Sequence, residues 1–141
     1  MRKLVRGVVG LVGVLEAAAF FAGAALHLGI PLPVPFIAVH SLPAAVLETG
    51  SGVFLLVAAV AILAHGRRAW QMAVAAHVAG VASITFGIAT GGGDPVAQSG
   101  HQTMLIVLIV VLIVLSTPLC RHALDTGRRH SRRRRRILQT L

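Results

Sequence analysis

The chain alternates between long apolar segments and short polar ones. Four stretches, at about residues 7–30, 44–65, 69–90 and 101–120, are almost wholly apolar. Each is close to the roughly 20 residues that a helix needs to cross a bilayer. A length of 141 residues fits a single domain. The pattern therefore predicts an all-α fold, an integral membrane four-helix bundle over residues 1–120, followed by a separate segment at 121–141.

The basic residues lie on one side of these predicted spans. All 13 Lys and Arg residues precede the first span, join the second to the third, or follow the fourth, and the loops at 31–43 and 91–100 contain none. Because positive loops remain in the cytoplasm, this distribution places both termini and the turn at 65–68 on the cytoplasmic side. We therefore expect a multi-pass protein of the cell membrane.

The first span has an alternative interpretation as a signal peptide. Its basic start and the small residues at 22–24 resemble a cleavage site. However, Glu16 would lie within the apolar core, and the apolar run is longer than that of a typical signal peptide. Both features favour a retained span.

The segment at 121–141 is strongly basic, with Arg128, Arg129 and a run at 132–136. Like charges at this density repel one another, so we expect a disordered cytoplasmic tail until it meets an anionic surface. Beside a cytoplasmic leaflet that surface is anionic lipid. A net charge of +9 would also suit nucleic acid, but the position of the charges beside the spans argues against it.

Two ionisable residues are predicted near the middle of the bilayer. At about 1.5 Å per residue, Glu16 lies about 15 Å beyond Arg6, and His77 lies at nearly the same depth beyond Arg68. Charged groups at this depth are costly and usually face a partner or a cavity. We expect a hydrogen bond between these two side chains.

A second polar layer is predicted near the outer face. Glu48 lies near the start of the second span, His27 ends the first and His101 opens the fourth. Two imidazoles and a carboxylate are the donor types of a three-ligand metal site. Interfacial histidines with a purely structural role are the alternative. Glu16 and His27 share a helical face, which predicts a polar line from the midplane to the outer mouth.

Several segments resemble DoxX-like membrane proteins. Residues 48–52 (ETGSG), followed by an apolar run ending at 66–69 (GRRA), are similar to the second and third spans of that group. Residues 6–28 resemble its first helix, with His27 in the place of a basic residue, and His101 followed by Met104 is similar to the start of its fourth. The resemblance implies a four-helix bundle and membrane-associated redox work with quinone or sulfur compounds, or a supporting subunit of such a complex. Glu16 and the proline-rich first outer loop depart from the group.

Three functions remain open at this point, and the sequence does not decide whether the chain is an enzyme. The first is a redox-associated or ligand-binding protein, with a quinone-like molecule held by the set His27, Glu48, His101, Glu16 and His77. The second is a metal or haem carrier that uses His27, Glu48 and His101. The third is a structural or assembly partner, as a homo-oligomer or in a larger membrane complex. With a single cysteine, Cys120, neither a disulfide scaffold nor a thiolate metal cage is available.

Overall fold

The computed structural model describes residues 1–32, 40–90 and 95–125. This part of the chain forms five helices: α1 (Arg2–His27), α2 (Leu42–Leu63), α3 (Ala69–Thr90), α4 (Pro95–Ser116) and α5 (Pro118–Leu124). Four of them, α1 to α4, are long and apolar enough to cross a membrane. The predicted all-α class and the number of candidate spans are therefore confirmed.

Local signals explain where the helices begin and end. Ser41 precedes α2 and its side chain accepts a hydrogen bond from the backbone N–H of Ala44 (3.4 Å), while Thr117 caps α5 through the N–H of Cys120 (3.3 Å). A proline occupies the first turn of both helices, where its missing N–H is not needed. At the end of α1, Gly29 takes a φ of 77°, the left-handed conformation in which a helix commonly terminates.

The helices are displaced from the predicted spans by a few residues. Three of them, α1, α2 and α4, begin and end earlier than the spans predicted at 7–30, 44–65 and 101–120, whereas α3 matches 69–90. The fourth span ends at Ser116 because Pro118 cannot continue its hydrogen-bond ladder. The predicted boundary between bundle and tail at residue 120 lies within α5, so residues 121–124 are helical. The arginine run predicted to be disordered lies outside the described residues.

Antiparallel packing brings all the basic helix ends together at one end of the bundle, here called the arginine end. There Arg6 Nε donates to the carbonyl of Ala123 (2.8 Å), and Arg2 contacts His122. Trp70 Nε1 donates to the carbonyl of Leu115 (2.9 Å). These contacts tie α5 to the first turns of α1 and fix the crossing of α3 and α4.

Small residues allow the close helix contacts that the sequence predicts. Gly10 and Gly13 of α1 face Leu63 and Ala59 of α2, and Gly80 of α3 faces Leu108 of α4. In lipid, where apolar side chains gain little by leaving the solvent, such close approach supplies much of the association energy. Helix α4 is the least covered by its neighbours. Within its apolar 18-residue segment 11% of the residues are buried, against 39% in the corresponding segment of each of the other three helices.

The apolar core divides into two clusters along the bundle axis. The first lies at the arginine end and comprises Val9, Ile62, Ala69, Ala73, Leu115, Cys120 and Leu124. The second lies further along the axis and comprises Ala17, Phe20, Leu55, Ala58, Ala76, Ile84 and Leu108. These clusters, here called the lower and upper cores, determine the surroundings of the buried polar residues.

Candidate polar sites

Glu16 of α1 and His77 of α3 form a buried pair. Glu16 Oε2 lies 2.9 Å from His77 Nε2, and both side chains are 4% exposed. The depth argument predicted this contact, because α1 and α3 start at the same boundary and run in the same direction, so they reach the same level after a similar number of residues. The pair joins α1 to α3, which are not consecutive in the chain.

Hydrogen-bond accounting fixes the number of protons in this pair. His77 Nδ1 lies 2.7 Å from the carbonyl oxygen of Ala73, and because a carbonyl only accepts, Nδ1 carries a hydrogen. The contact between Nε2 and Oε2 then needs a second hydrogen, held either by the carboxyl group or by the ring. Neutral carboxyl with neutral imidazole and carboxylate with imidazolium both satisfy it, and both are neutral overall.

Glu48 lies at the opposite end of the bundle, between two histidines from other helices. Glu48 Oε1 is 3.5 Å from His27 Nε2 and 3.3 Å from His101 Nε2. The three side chains offer ligand atoms within 4.8 Å of one another. The two imidazole rings stack with centroids 5.9 Å apart and an angle of 17° between their planes. We call these three residues the His–Glu cluster.

Two glycines leave room for the His–Glu cluster. A Cβ atom at Gly23 of α1 would lie 3.1 Å from Cδ of Glu48 and closer still to Oε2. A Cβ at Gly87 of α3 would lie 3.4 Å from Nε2 of His101. Glycines within apolar spans are typical of close helix packing, but which side chains fill the space beside them depends on the rotation of the helices.

The predicted polar line between the two sites is interrupted. Phe20 lies on α1 between Glu16 and Gly23, is 2% exposed, and packs in the upper core with Leu55 and Leu108. Its ring reaches across to Gly80 of α3. The residues do share a face of α1 as predicted, but an aromatic layer separates the Glu16–His77 pair from the His–Glu cluster because this face also builds the core.

Hydroxyl groups within apolar helices can bond to the backbone of their own helix. Thr85, Ser116 and Thr117 do so, with the carbonyls of Val81, Leu112 and Val114 respectively. Ser83 Oγ is buried without a hydrogen-bond partner among the described residues, as are Glu16 Oε1 and Glu48 Oε2. Buried polar atoms in native proteins are nearly always paired, so each such atom marks a place where a further group can bind.

The donor set of the His–Glu cluster suits a metal ion better than haem. Axial imidazoles of a haem lie on opposite faces of the porphyrin, whereas His27 and His101 stack on each other and direct Nε2 to the same oxygen. Two imidazoles and one carboxylate around a common point are a usual zinc donor set. The residues present therefore fit a divalent metal and do not fit a bis-histidine haem in this arrangement.

The sequence did not indicate the features at the arginine end. Arg121 of α5 lies over the ring of Trp70, 4.6 Å from its centroid, and burial raises the pKa of the Cys120 thiol. The only sequence signal was Thr117-Pro118, a cap followed by a proline, which is typical of a new helix start. His40 lies in the loop between α1 and α2 and packs against Gly29, and Asp94 lies outside the described residues.

Comparison with protein-family models, with curated proteins and with solved structures finds no match to this chain.

Proposed function

We propose that this chain is a multi-pass protein of the cell membrane that binds a divalent transition metal, with zinc the best fit, at the His–Glu cluster. In this proposal both termini, the α2–α3 turn and the arginine end face the cytoplasm, and the His–Glu cluster lies at the outer face. The one-sided distribution of all 13 Lys and Arg residues supports the orientation. The convergence of two imidazole nitrogens on one carboxylate oxygen is the observation that supports metal binding.

The direct contacts within the cluster are long, including the hydrogen bond between His101 Nε2 and Glu48 Oε1 at 3.3 Å, and they leave room for a shared ion. Charge-assisted bonds between an imidazolium and a carboxylate measure about 2.7–2.9 Å, whereas Glu48 Oε1 lies 3.5 and 3.3 Å from the two histidines. Ligands about 2.0–2.1 Å from a tetrahedral zinc lie about 3.3–3.4 Å from each other. Around a six-coordinate ion with similar bond lengths the same edge is about 3 Å. The two distances from Glu48 Oε1 to the histidines are therefore compatible with a tetrahedral ion such as zinc.

The surroundings favour an exchangeable site over a purely structural one. Only three protein ligands converge in the described part of the chain, whereas structural zinc sites usually have four. The side chains of His27 and His101 are 12% and 14% exposed, so the ligands are accessible from the end of the bundle. A site with one open position at a membrane surface suits a metal carrier, sensor or metal-dependent enzyme.

A quinone-like ligand is the second candidate. Glu48 Oε2 is buried without a partner among the described residues and offers an acceptor for a quinol hydroxyl. The resemblance of residues 48–52 to DoxX-like proteins points the same way. In this alternative the metal ligands become hydrogen-bonding groups of a redox-associated membrane protein.

Metal titration of the purified protein tests the proposal. We expect wild-type protein in mild detergent to bind one equivalent of Zn²⁺, and Co²⁺ in the same site to give the visible absorption of a tetrahedral complex. Glu48→Gln, His27→Gln and His101→Gln should each weaken binding by about 100-fold or more, since each removes a ligand. Glu16→Gln and His122→Gln are matched controls outside the cluster and should bind metal like the wild type.

The alternatives give different results in the same experiment. Wild-type protein that binds neither Zn²⁺ nor Co²⁺ would contradict the metal proposal. Bound quinone in solvent extracts of that protein, lost in Glu48→Gln, would favour the second candidate. Metal-free protein that carries no extractable ligand and co-purifies with another membrane protein would favour a structural or assembly subunit.

A further inference from the structure

The pair of Glu16 and His77 holds one proton between two groups that can each carry it. We propose that this pair is an exchangeable proton site in the middle of the bundle, which takes up and releases its proton through Ser83 towards the His–Glu cluster. The inference concerns residues outside that cluster and stands whether or not the cluster binds metal.

Proton movement within the pair is balanced. When the proton passes from Glu16 Oε2 to His77 Nε2, an O–H bond breaks and an N–H bond forms, and the second ring hydrogen stays on Nδ1 against Ala73. The pair is neutral before and after the transfer. No net charge is therefore created in a region where a lone charge costs several kcal/mol.

The second carboxyl oxygen distinguishes this pair from a simple interhelical hydrogen bond. Glu16 Oε1 is buried and has no partner among the described residues, although Glu16 as a whole is 4% exposed. A buried oxygen of this kind can accept a hydrogen bond from a bridging water. It provides the entry point by which a proton reaches or leaves the pair.

The direction of exchange follows from what lies on either side of the pair. Towards the arginine end, the lower core presents only apolar residues and the buried thiol of Cys120. Towards the opposite end, Ser83 Oγ lies buried without a partner in the described chain, about 9 Å beyond His77 along α3. That distance exceeds a direct hydrogen bond, so transfer between them needs water.

Phe20 controls whether water can bridge this gap. Its ring lies against Gly80, which stands midway between His77 and Ser83 on α3. With the ring in this position the pair is closed from the His–Glu cluster. A rotation of the ring away from Gly80 would open a connection to Ser83, so exchange is expected to be slow and gated.

Other titratable groups do not face the pair in the described structure. Towards it, α2 contributes Leu55 and Ala58, and α4 contributes Leu108. The remaining titratable residues of the described helices lie at the two ends: His27, Glu48 and His101 at one, and the basic residues with Cys120 and His122 at the other. The titration of the pair is therefore governed by its two members and by access to water.

Nitrogen-15 magnetic resonance of metal-free protein, labelled in histidine and held in lipid nanodiscs, tests the inference. The ring shifts of His77 report whether the shared proton lies on Nε2 or on Glu16, and the exchange rate of that proton with water reports access. We expect Ser83→Ala to slow that exchange by roughly tenfold. Ser116→Ala, which removes an exposed hydroxyl of α4, is the matched control and should leave it unchanged, while Ser83→Thr keeps the hydroxyl and should preserve exchange.

Glu16→Gln separates proton storage from hydrogen bonding. The glutamine amide can donate to His77 Nε2, so the helix contact is retained while the shared proton is lost, and His77 should become a neutral ring with hydrogen only on Nδ1. Ring shifts of the wild type identical to those of Glu16→Gln, together with an infrared spectrum that lacks the C=O stretch of a protonated Glu16, would overturn the one-proton site. Exchange rates equal in Ser83→Ala and wild type would overturn the route through Ser83, and both results are independent of metal binding.

Discussion

The bundle buries two carboxylates, Glu16 and Glu48, and surrounds them with histidines in two different ways. Glu16 has one histidine at 2.9 Å, whose other nitrogen is bonded to the backbone. Glu48 has two histidines at 3.3 and 3.5 Å, too far for strong bonds to either. The same residue types thus form a closed pair at one level and an open cluster at the other.

The difference lies in how many imidazole nitrogens meet each carboxylate and at what distance. A metal site needs several ligand atoms around one point, and at the first site Glu16 Oε2 is paired with a single imidazole nitrogen, His77 Nε2. The imidazoles of the His–Glu cluster both direct Nε2 at one point. We infer that short contacts stabilise the fold at the first site, whereas long contacts leave the second ready for a ligand.

We propose that the His–Glu cluster faces outward and the arginine end faces the cytoplasm. Cysteine labelling tests this orientation with an all-or-none result. We expect a membrane-impermeant maleimide, applied to intact cells, to label Gln98→Cys near the His–Glu cluster and not Leu119→Cys at the arginine end. Both introduced positions are exposed in the structure. Labelling of Leu119→Cys alone would invert the proposed orientation and place the cluster in the cytoplasm.

The native Cys120 gives little background in this experiment. Burial raises the pKa of its thiol, so less reactive thiolate is present at neutral pH than for an exposed cysteine, and the rate increases as the pH rises towards that pKa. Permeabilised cells provide the control, because both introduced cysteines should then react. Cys120→Ala confirms that any remaining signal comes from the introduced residue.

The stability of the two sites provides the second test. His77→Ala leaves Glu16 buried without its partner and opens a cavity, so we expect a loss of about 2–4 kcal/mol in the free energy of unfolding. His101→Ala removes a side chain that is 14% exposed and leaves Glu48 with His27 as a partner, so we expect a loss of about 1 kcal/mol or less. Reversible unfolding in mixed detergent micelles, without metal, measures both. Equal losses would remove the distinction between a closed pair and an open cluster.

The sequence predicts the pairing of the sites better than their surroundings. Constant rise per residue and antiparallel spans are enough to bring Glu16 level with His77, and the positions of His27, Glu48 and His101 near span ends are enough to place them in one layer. Helix rotation is not available from such counting. The position of the Phe20 ring against Gly80, and the buried hydroxyl of Ser83, depend on how α1 and α3 turn about their axes.

The ends of the helices were the other point at which sequence and structure differ. Hydropathy alone extends the fourth span through Cys120, because the apolar residues continue past Pro118. Proline chemistry and the Thr117 cap instead end α4 and begin α5. Average hydropathy over a long window is insensitive to a single backbone break.

Gly23 provides the smallest and most specific test of the comparison. A methyl group at this position would meet the end of the Glu48 side chain and not the backbone of α2. Since a carboxylate at the end of a flexible chain can move, we expect Gly23→Ala to shift Glu48 and to weaken metal binding by about tenfold, while stability changes by less than about 1 kcal/mol. The matched control is Gly7→Ala, because a Cβ at Gly7 has no neighbour within 4 Å. If Gly23→Ala binds metal like the wild type while Glu48→Gln does not bind it, the carboxylate must hold the metal from a different position than the one described.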